Sequence, residues 1–355
     1  MLFKEGISEP VIPDDLQLLK YLFLCNTEPN EILASLKPEW NDRINLTINE
    51  KLSSVHYPLS SVFSWKEELS DGIDYEKFCA SFFVQPDLFL RIRPGHAEKV
   101  LLKLNATGIK YEFISPFTLR LQNNFKVDQF FELDKEVVVQ DYNSQQIAGF
   151  IPARPGLSDR VWDCCAGSGG KSIMTYDLNP GVELTVSDIR ESILVNLKKR
   201  FQKAGINKYK SVSLDLNKEN SLHSPKESVR AIINNQYSII IADVPCTGSG
   251  TWSRTPEQLT YFNVRKIDEY ITMQKNIVSN VIPYLQPGGH LLYITCSVFK
   301  KENEEVVTWL KEKFHFQLVK MELLKGYEMK ADTMFAALLS LPVRQESLPK
   351  LQSPL

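Results

Sequence analysis

Apolar positions in the first 84 residues recur mostly at helical spacing. Leu16, Leu18, Leu19, Leu22 and Phe23 mark a helix over 14–24, and Asn30 is placed to cap a short helix through Leu36, before Pro38. Residues 46–55 are less regular. The pattern changes at Gln85. Leu88 to Arg93 alternates apolar with basic residues towards its end, as a half-buried strand does. A helix over 97–104, ended near Gly108, and further strands within 111–121 complete a small α+β unit. Val137 to Asp141 then leads into a helix over 142–148, and Pro152, Pro155 and Gly156 mark a connection.

From Arg160 onward strand and helix patterns alternate. Val161 to Asp163 ends a strand, a glycine-rich turn follows over 164–170, and Lys171 to Tyr176 opens a helix. The next strand, 182–187, ends in Asp188, and a helix over 191–204 is closed by Gly205. Residues 212–214 make a third strand ending in Asp215, and 216–236 reads as an irregular insertion. Tyr237 to Ala242 is a short apolar run rich in β-branched residues, the mark of a strand buried on both faces, and it stops at Asp243, Pro245 and Cys246. A core-facing helix over 267–285, a turn at Pro287 to Gly289, a strand over 290–295, a helix over 302–313 capped near Ser297 or Asn303, and paired strands over 316–320 and 334–339 complete the series. Repeated strand–helix units predict an α/β fold, a mainly parallel sheet with helices on both faces. The divisions expected are a helical region over 1–84, the small α+β unit over 85–150, the α/β domain over 151–345 and a tail over 346–355.

Composition narrows the class without naming a chemistry. With 355 residues, 43% of them hydrophobic, a sizeable core is available. The net charge of -2 means that nucleic acid must be met by a local basic face, and Arg91, Arg93, Lys99, Lys103 and Arg120 are candidates for one, although an ordinary solvated surface is the plainer reading. No apolar stretch has the length of a signal-peptide core or a membrane span, and six cysteines in so long a chain do not suggest a disulfide framework. The expectation is a reduced, cytoplasmic, monomeric protein that does not engage a membrane. Cys25 and Cys79 lie in apolar company and read as buried structural thiols.

The turn D-C-C-A-G-S-G-G-K over 163–171 lies between a strand and a helix, where glycines let the backbone approach a ligand. Cys165 stands at the first glycine position of a phosphate-binding loop, and Ser172 at the last glycine of a dinucleotide fingerprint, so both readings fail. S-adenosylmethionine has a ribose diol, an adenine amine and a charged tail, each wanting an acceptor. Asp188, Asp215 and Asp243 supply three at separate strand ends. Any one of them alone reads more simply as a helix cap. Two strand-end cysteines, Cys246 and Cys296, join them. A thiolate can add to carbon 6 of a pyrimidine and make carbon 5 nucleophilic enough to take a methyl group. That chemistry needs an attacking thiol, an acid to polarise the base and a group that helps release, which Cys296, Asp243 and Cys246 can supply. A lone strand-end cysteine is usually only a small buried residue. There is no C-x-x-C and the five histidines are scattered, so no metal is expected.

Three segments in order now carry a resemblance. C-A-G-S-G-G-K over 165–171 resembles the C-A-x-P-G-G-K segment of the Sun-type RNA cytosine-5 methyltransferases, a family that includes bacterial enzymes acting on small-subunit ribosomal RNA. D-V-P-C-T-G-S-G over 243–250, followed by Arg254 and Pro256, is similar to its D-x-P-C-[ST]-G-x-G segment, and T-C-S over 295–297 with E-N-E over 302–304 to its T-C-S…E-N-E segment. The likeness runs from about residue 85 to 340. Gly167 and Ser168 stand where the family has a small residue and proline, and Arg254 stands where a pair of arginines is common.

The resemblance implies a Rossmann-like class I methyltransferase domain, preceded by a small RRM-like unit that helps hold RNA. It implies S-adenosylmethionine bound by the turn residues Cys165, Ala166, Gly167, Ser168, Gly169, Gly170 and Lys171 together with Asp188, Asp215 and Asp243. It makes Cys296 the nucleophile and Cys246 the release-assisting thiol, sets Asp243 near the reacting methyl group and base, and sets Lys171 close to the cytosine or the cofactor tail. Ribosomal RNA is the expected substrate, with transfer RNA the alternative; a non-catalytic RNA-binding assembly factor is the rival of another class. The chain's end soon after this domain leaves little room for an appended RNA-binding domain. An exposed base would rest on Trp252 or Arg254.

Overall fold

The computed structural model describes residues 14–152, 159–223 and 227–343. Pro155, Gly156, the first residues and the tail over 346–355 lie outside them. Four strands form a small antiparallel sheet: β1 (Leu88–Ile92), β2 (Tyr111–Ser115), β3 (Thr118–Leu121) and β4 (Val137–Val139), in the order β2-β3-β1-β4. Seven more form the large sheet: β5 (Arg160–Asp163), β6 (Glu183–Asp188), β7 (Tyr209–Ser213), β8 (Tyr237–Asp243), β9 (Leu285–Thr295), β10 (Gln317–Leu324) and β11 (Met334–Ser340). Their order is β10-β11-β9-β8-β5-β6-β7. β5 to β9 run parallel, and β11 lies antiparallel between β9 and β10.

β8 is buried along its length until Asp243, because helices cover both faces. The helix Glu191–Ala204 shows why the chain folds this way locally. Leu194, Leu197, Phe201 and Ala204 fall on one face and are buried, while the remaining face is charged, and Gly205 ends the helix at φ 75°. Each large apolar side chain buried there contributes about 1.5–3 kcal/mol. The order of strands reverses beside β5, so the connections that leave the paired strands β5 and β8 part in opposite directions and open a crevice at their carboxyl ends.

The N-terminal helices do not have a core of their own. Phe23, Leu33, Phe63, Phe78 and Phe82 pack with Trp252, Ile267, Val298 and Phe299 of the large domain in one apolar cluster. Asn30 caps the helix Glu31–Leu36 by accepting the Leu33 N–H at 2.9 Å.

Several expectations are corrected. β7 ends at Ser213, so Asp215 lies on the loop beyond it. The insertion over 216–236 contains a helix, Glu227–Ile233, whose Val229 and Ile232 are buried; two apolar positions are too short a pattern to read. β9 begins at Leu285, taking in the expected turn, because Leu285 pairs with Tyr237 across a register shift. Asn303 stands at the start of the helix Glu304–Phe314 without capping it; its side chain bonds Ser70, Thr295 and the Ser297 carbonyl instead. Cys79 is buried, but Cys25, the last residue of its helix, is exposed.

The candidate basic face is also occupied. Arg91 and Arg93 are buried and both donate to Asp177, at 2.5 and 2.6 Å. Lys99 and Lys103 each pair with the buried Glu136 at 2.7 Å, and Arg120 pairs with Glu112. Alternation in β1 aims the arginines at the neighbouring helix Gly170–Leu178, which carries Asp177, rather than at solvent.

Candidate active site

The parallel strands deliver their carboxylates and thiols to one edge of the sheet. Asp163, Asp188 and Asp243 are the last residues of β5, β6 and β8, and Cys296 follows the last residue of β9. A cleft of about 800 Å³ opens there. It is lined by Cys165, Ala166, Gly167, Ser168, Gly170 and Lys171 of the turn, and by Asp188, Asp215, Asp243, Cys246 and Cys296. Gly169 faces away from it. Its φ is +85°, and a Cβ there would fall 2.8 Å from Phe201 and 3.0 Å from Leu197, so the turn packs hard against the helix Glu191–Ala204.

Each strand-end acid is held differently. Asp188 accepts the Gly167 N–H at 2.9 Å and, on its other oxygen, the Arg190 N–H at 2.9 Å, joining the turn to β6. Asp215 accepts the Asn217 N–H at 3.2 Å and pairs with Lys218. Asp243 accepts from the Lys171 ammonium at 2.6 Å. Burial is the largest single influence on Lys171 and works to lower its pKa, but the charge and hydrogen bond of Asp243 with the neighbouring acidic groups together outweigh it and the net shift is upward, so the lysine is a fixed cation at the cleft wall.

The sulfurs of Cys246 and Cys296 are 3.3 Å apart, unbonded, and the Cys296 N–H also reaches the Cys246 sulfur at 3.3 Å. The Cys246 thiol is pushed well above its usual range by its hydrogen bond with Cys296 and by burial. Gly250 lets this happen. A Cβ there would lie 2.0 Å from the Thr333 carbonyl oxygen and 3.0 Å from that of Cys296, so only glycine fits the loop between β8 and the strands beside it.

Two participants escaped the sequence. Asp163, read there only as a strand end, lines the cleft; Ser172 donates to its Oδ2 at 2.6 Å, while Oδ1 is buried without a hydrogen-bond partner among the described residues. Burial pushes this carboxyl up to about 7. Arg200 donates to the Ser168 carbonyl and hydroxyl, both at 2.9 Å, and pairs with Asp134 beside the small sheet. No periodic signal distinguishes Arg200 from the other charges on its helix.

Neither candidate for base stacking is free. Trp252 is buried among Phe63, Trp65, Phe262 and Phe299, because its loop folds onto the N-terminal helices. Arg254 is clamped between Asp141 at 2.8 Å and Asp332 at 2.7 Å. Among the described residues no group of three or more His, Cys, Asp or Glu is arranged to hold a metal ion, and no helix is long and apolar enough to cross a membrane.

The strand order, with its carboxyl-end crevice and strand-end acids, is the Rossmann-like fold of class I methyltransferases. The model of the 16S rRNA methyltransferase RsmB/F family matches residues 153–348, more than half of the chain, and the chain belongs to that family. It is similar to the ribosomal RNA small subunit methyltransferase B of Erwinia tasmaniensis, 28% identical over 224 residues, which are 62% of this chain and 49% of that one. The chain spans about half the length of the curated relatives it matches. Its fold is shared with the crystal structure of PH0851 (TM-score 0.69, 23% identity, 87% of this chain and 74% of that). It is shared too with NSun6 from Pyrococcus horikoshii, solved with SFG, an S-adenosylmethionine analogue (TM-score 0.63, 16% identity, 80% and 96%).

Proposed function

We propose that the chain is an S-adenosylmethionine-dependent RNA methyltransferase that forms 5-methylcytosine, with small-subunit ribosomal RNA as its substrate, through a covalent bond between Cys296 and the base. The observation that carries the cytosine-5 reading is the pair of sulfurs 3.3 Å apart at a cleft shared with strand-end carboxylates. Family membership and the names of the relatives support the ribosomal substrate.

The residues present fit the cofactor. Asp188 and Asp215 offer acceptors for its ribose and adenine, and the partnerless Oδ1 of Asp163 suits its ammonium. The glycine-rich turn brings backbone N–H groups close. When bound, S-adenosylmethionine supplies the methyl group. The rest is done by the chain. The Cys296 sulfur, its proton given up to solvent, bonds as the thiolate to carbon 6 of a cytosine presented out of its stack, and the electron pair of the carbon 5–carbon 6 double bond passes to carbon 5, which takes the methyl group. Asp243 and Lys171 hold charge beside the base. The carbon 5 proton then leaves to solvent, its electron pair re-forms the carbon 5–carbon 6 double bond, and the sulfur departs as the Cys296 thiolate, to which the Cys246 S–H donates a hydrogen bond.

Separate substitution of the cysteines tests this. Cys296→Ala is expected to abolish methylation, measured by methyl transfer to RNA and by bisulfite sequencing of total RNA with and without the gene. Cys246→Ala is expected to accumulate an RNA adduct that survives denaturing electrophoresis. Full activity in Cys296→Ala would overturn the assignment.

A further inference from the structure

One buried carboxylate grips both thiol-bearing loops from behind. Glu302, in the turn Lys300–Glu302, is fully buried. Its Oε1 accepts the Thr247 N–H at 2.9 Å and the Gln274 amide at 3.0 Å. Its Oε2 accepts the Thr247 hydroxyl at 2.6 Å and the Ser297 hydroxyl. Thr247 follows Cys246 and Ser297 follows Cys296, so a single side chain fastens the residue immediately after each sulfur. Gln274 closes the frame by donating to the Pro245 carbonyl at 3.0 Å, on the other side of Cys246.

A neutral side chain could fill this space, and burying a charge is costly unless all its acceptor positions are met. Here four donors meet them, although burial still leaves the Glu302 carboxyl raised from its ordinary value. The charge also lies on one side of the thiol pair. Glu302 adds to what raises Cys246, after the hydrogen bond with Cys296 and burial, whereas the Lys171 cation in the same cleft is already paired with Asp243. The other titratable groups facing Cys246 are Tyr270, on the helix Arg265–Val281, and Tyr293, on β9. Burial first of all raises both tyrosines, so they stay neutral in the working range.

We propose that Glu302 is a positioning residue that holds the two thiols in register and sorts them, keeping Cys246 as the proton-bearing thiol and leaving the nucleophile's part to Cys296. This rests on the reading of the pair as the reacting thiols. It extends that reading by giving a reason why two sulfurs in contact take different roles: Glu302 takes two bonds from Thr247, with Gln274 holding Pro245 on the other side of Cys246, but only one from Ser297.

The test reads each sulfur in the full chain, with its partner removed and with neither RNA nor cofactor present. Iodoacetamide alkylation is followed by peptide mass spectrometry across pH, at Cys246 in Cys296→Ala and at Cys296 in Cys246→Ala. Adding Glu302→Gln is expected to move the Cys246 profile down by about one pH unit, a roughly tenfold gain in rate at fixed pH, and to move the Cys296 profile less. An unchanged Cys246 profile in folded protein overturns the proposal. Should Glu302→Gln not fold, Thr247→Val in Cys296→Ala carries the test. Loss of one bond to Glu302 is expected to loosen the loop and raise Cys246 alkylation several-fold at every pH, and an unchanged rate overturns the proposal. Alkylation is blind to methyl transfer, so failure of the catalytic reading shows in adduct trapping and failure of the sorting shows here.

Discussion

Buried cations meet carboxylates at both ends of the helix Gly170–Leu178, and the two clusters have opposite fates. At its C-terminal end Asp177 receives Arg91 and Arg93, and Arg93 also donates to the carbonyls of Asp134 and Ala204 at 2.9 Å. At its N-terminal end Lys171 meets Asp243, whose side chain keeps 31% of its surface exposed to the cleft. The first cluster spends its charge joining the small sheet to the large domain. The second holds its charge at the mouth of a cavity with room for a ligand. Basic residues in an alternating strand look like an RNA surface in the sequence, but what decides function is whether their partners are protein groups or open space.

The contrast can be broken from either end. Lys171→Met is expected to cost the largest effect, about 10²–10³-fold in methyl transfer, because a preorganised cation is lost from a desolvated site. Its melting temperature should stay close to that of the parent, since the partly exposed Asp243 can be hydrated. A loss of stability matching the loss of activity would erase the distinction. Asp177→Asn is expected to do the reverse. It leaves two buried guanidiniums short of charge and should destabilise by roughly 3–5 kcal/mol in urea unfolding, with per-molecule activity of the folded fraction retained.

Asp163→Asn sharpens the picture of the cleft floor. Burial raises this carboxyl to about 7 from an ordinary value of 3.8. Between those values the folded state keeps a proton that the unfolded chain has lost, so the residue's cost to stability grows as pH rises and is complete above about pH 7. The asparagine variant without ligand should therefore match the parent near pH 4 and exceed it by a few kcal/mol, on the order of three pKa units, at about pH 8. A pH-independent difference between the two would sink this account. The smallest effect is reserved for the outer surface. Lys135→Gln, at a pair with Glu132 that is exposed on both sides, should leave the melting temperature unchanged within measurement.

Much of the fold was legible along the chain because period and punctuation are local. The four apolar positions of the helix Glu191–Ala204, its closing Gly205 and the unbroken apolar run of β8 required no knowledge of their neighbours. The insertion helix Glu227–Ile233 and the early start of β9 were not legible. One is too short to show a period, and the other depends on Tyr237 offering Leu285 a partner.

The candidate site divides in the same way. The types and order of Lys171, Asp188, Asp215, Asp243, Cys246 and Cys296 are properties of the sequence, and their appearance after strand-like runs follows from residue chemistry alone. Tertiary structure decided which of them share space. It turned Arg91 and Arg93 inward, buried Trp252, left one oxygen of Asp163 without a partner among the described residues and set Glu302 behind both thiols. The physical reason is that burial and partnership are sums over residues distant in the chain. Residue 302 meets residue 247 only because β8 and β9 lie side by side, and no local pattern encodes that adjacency.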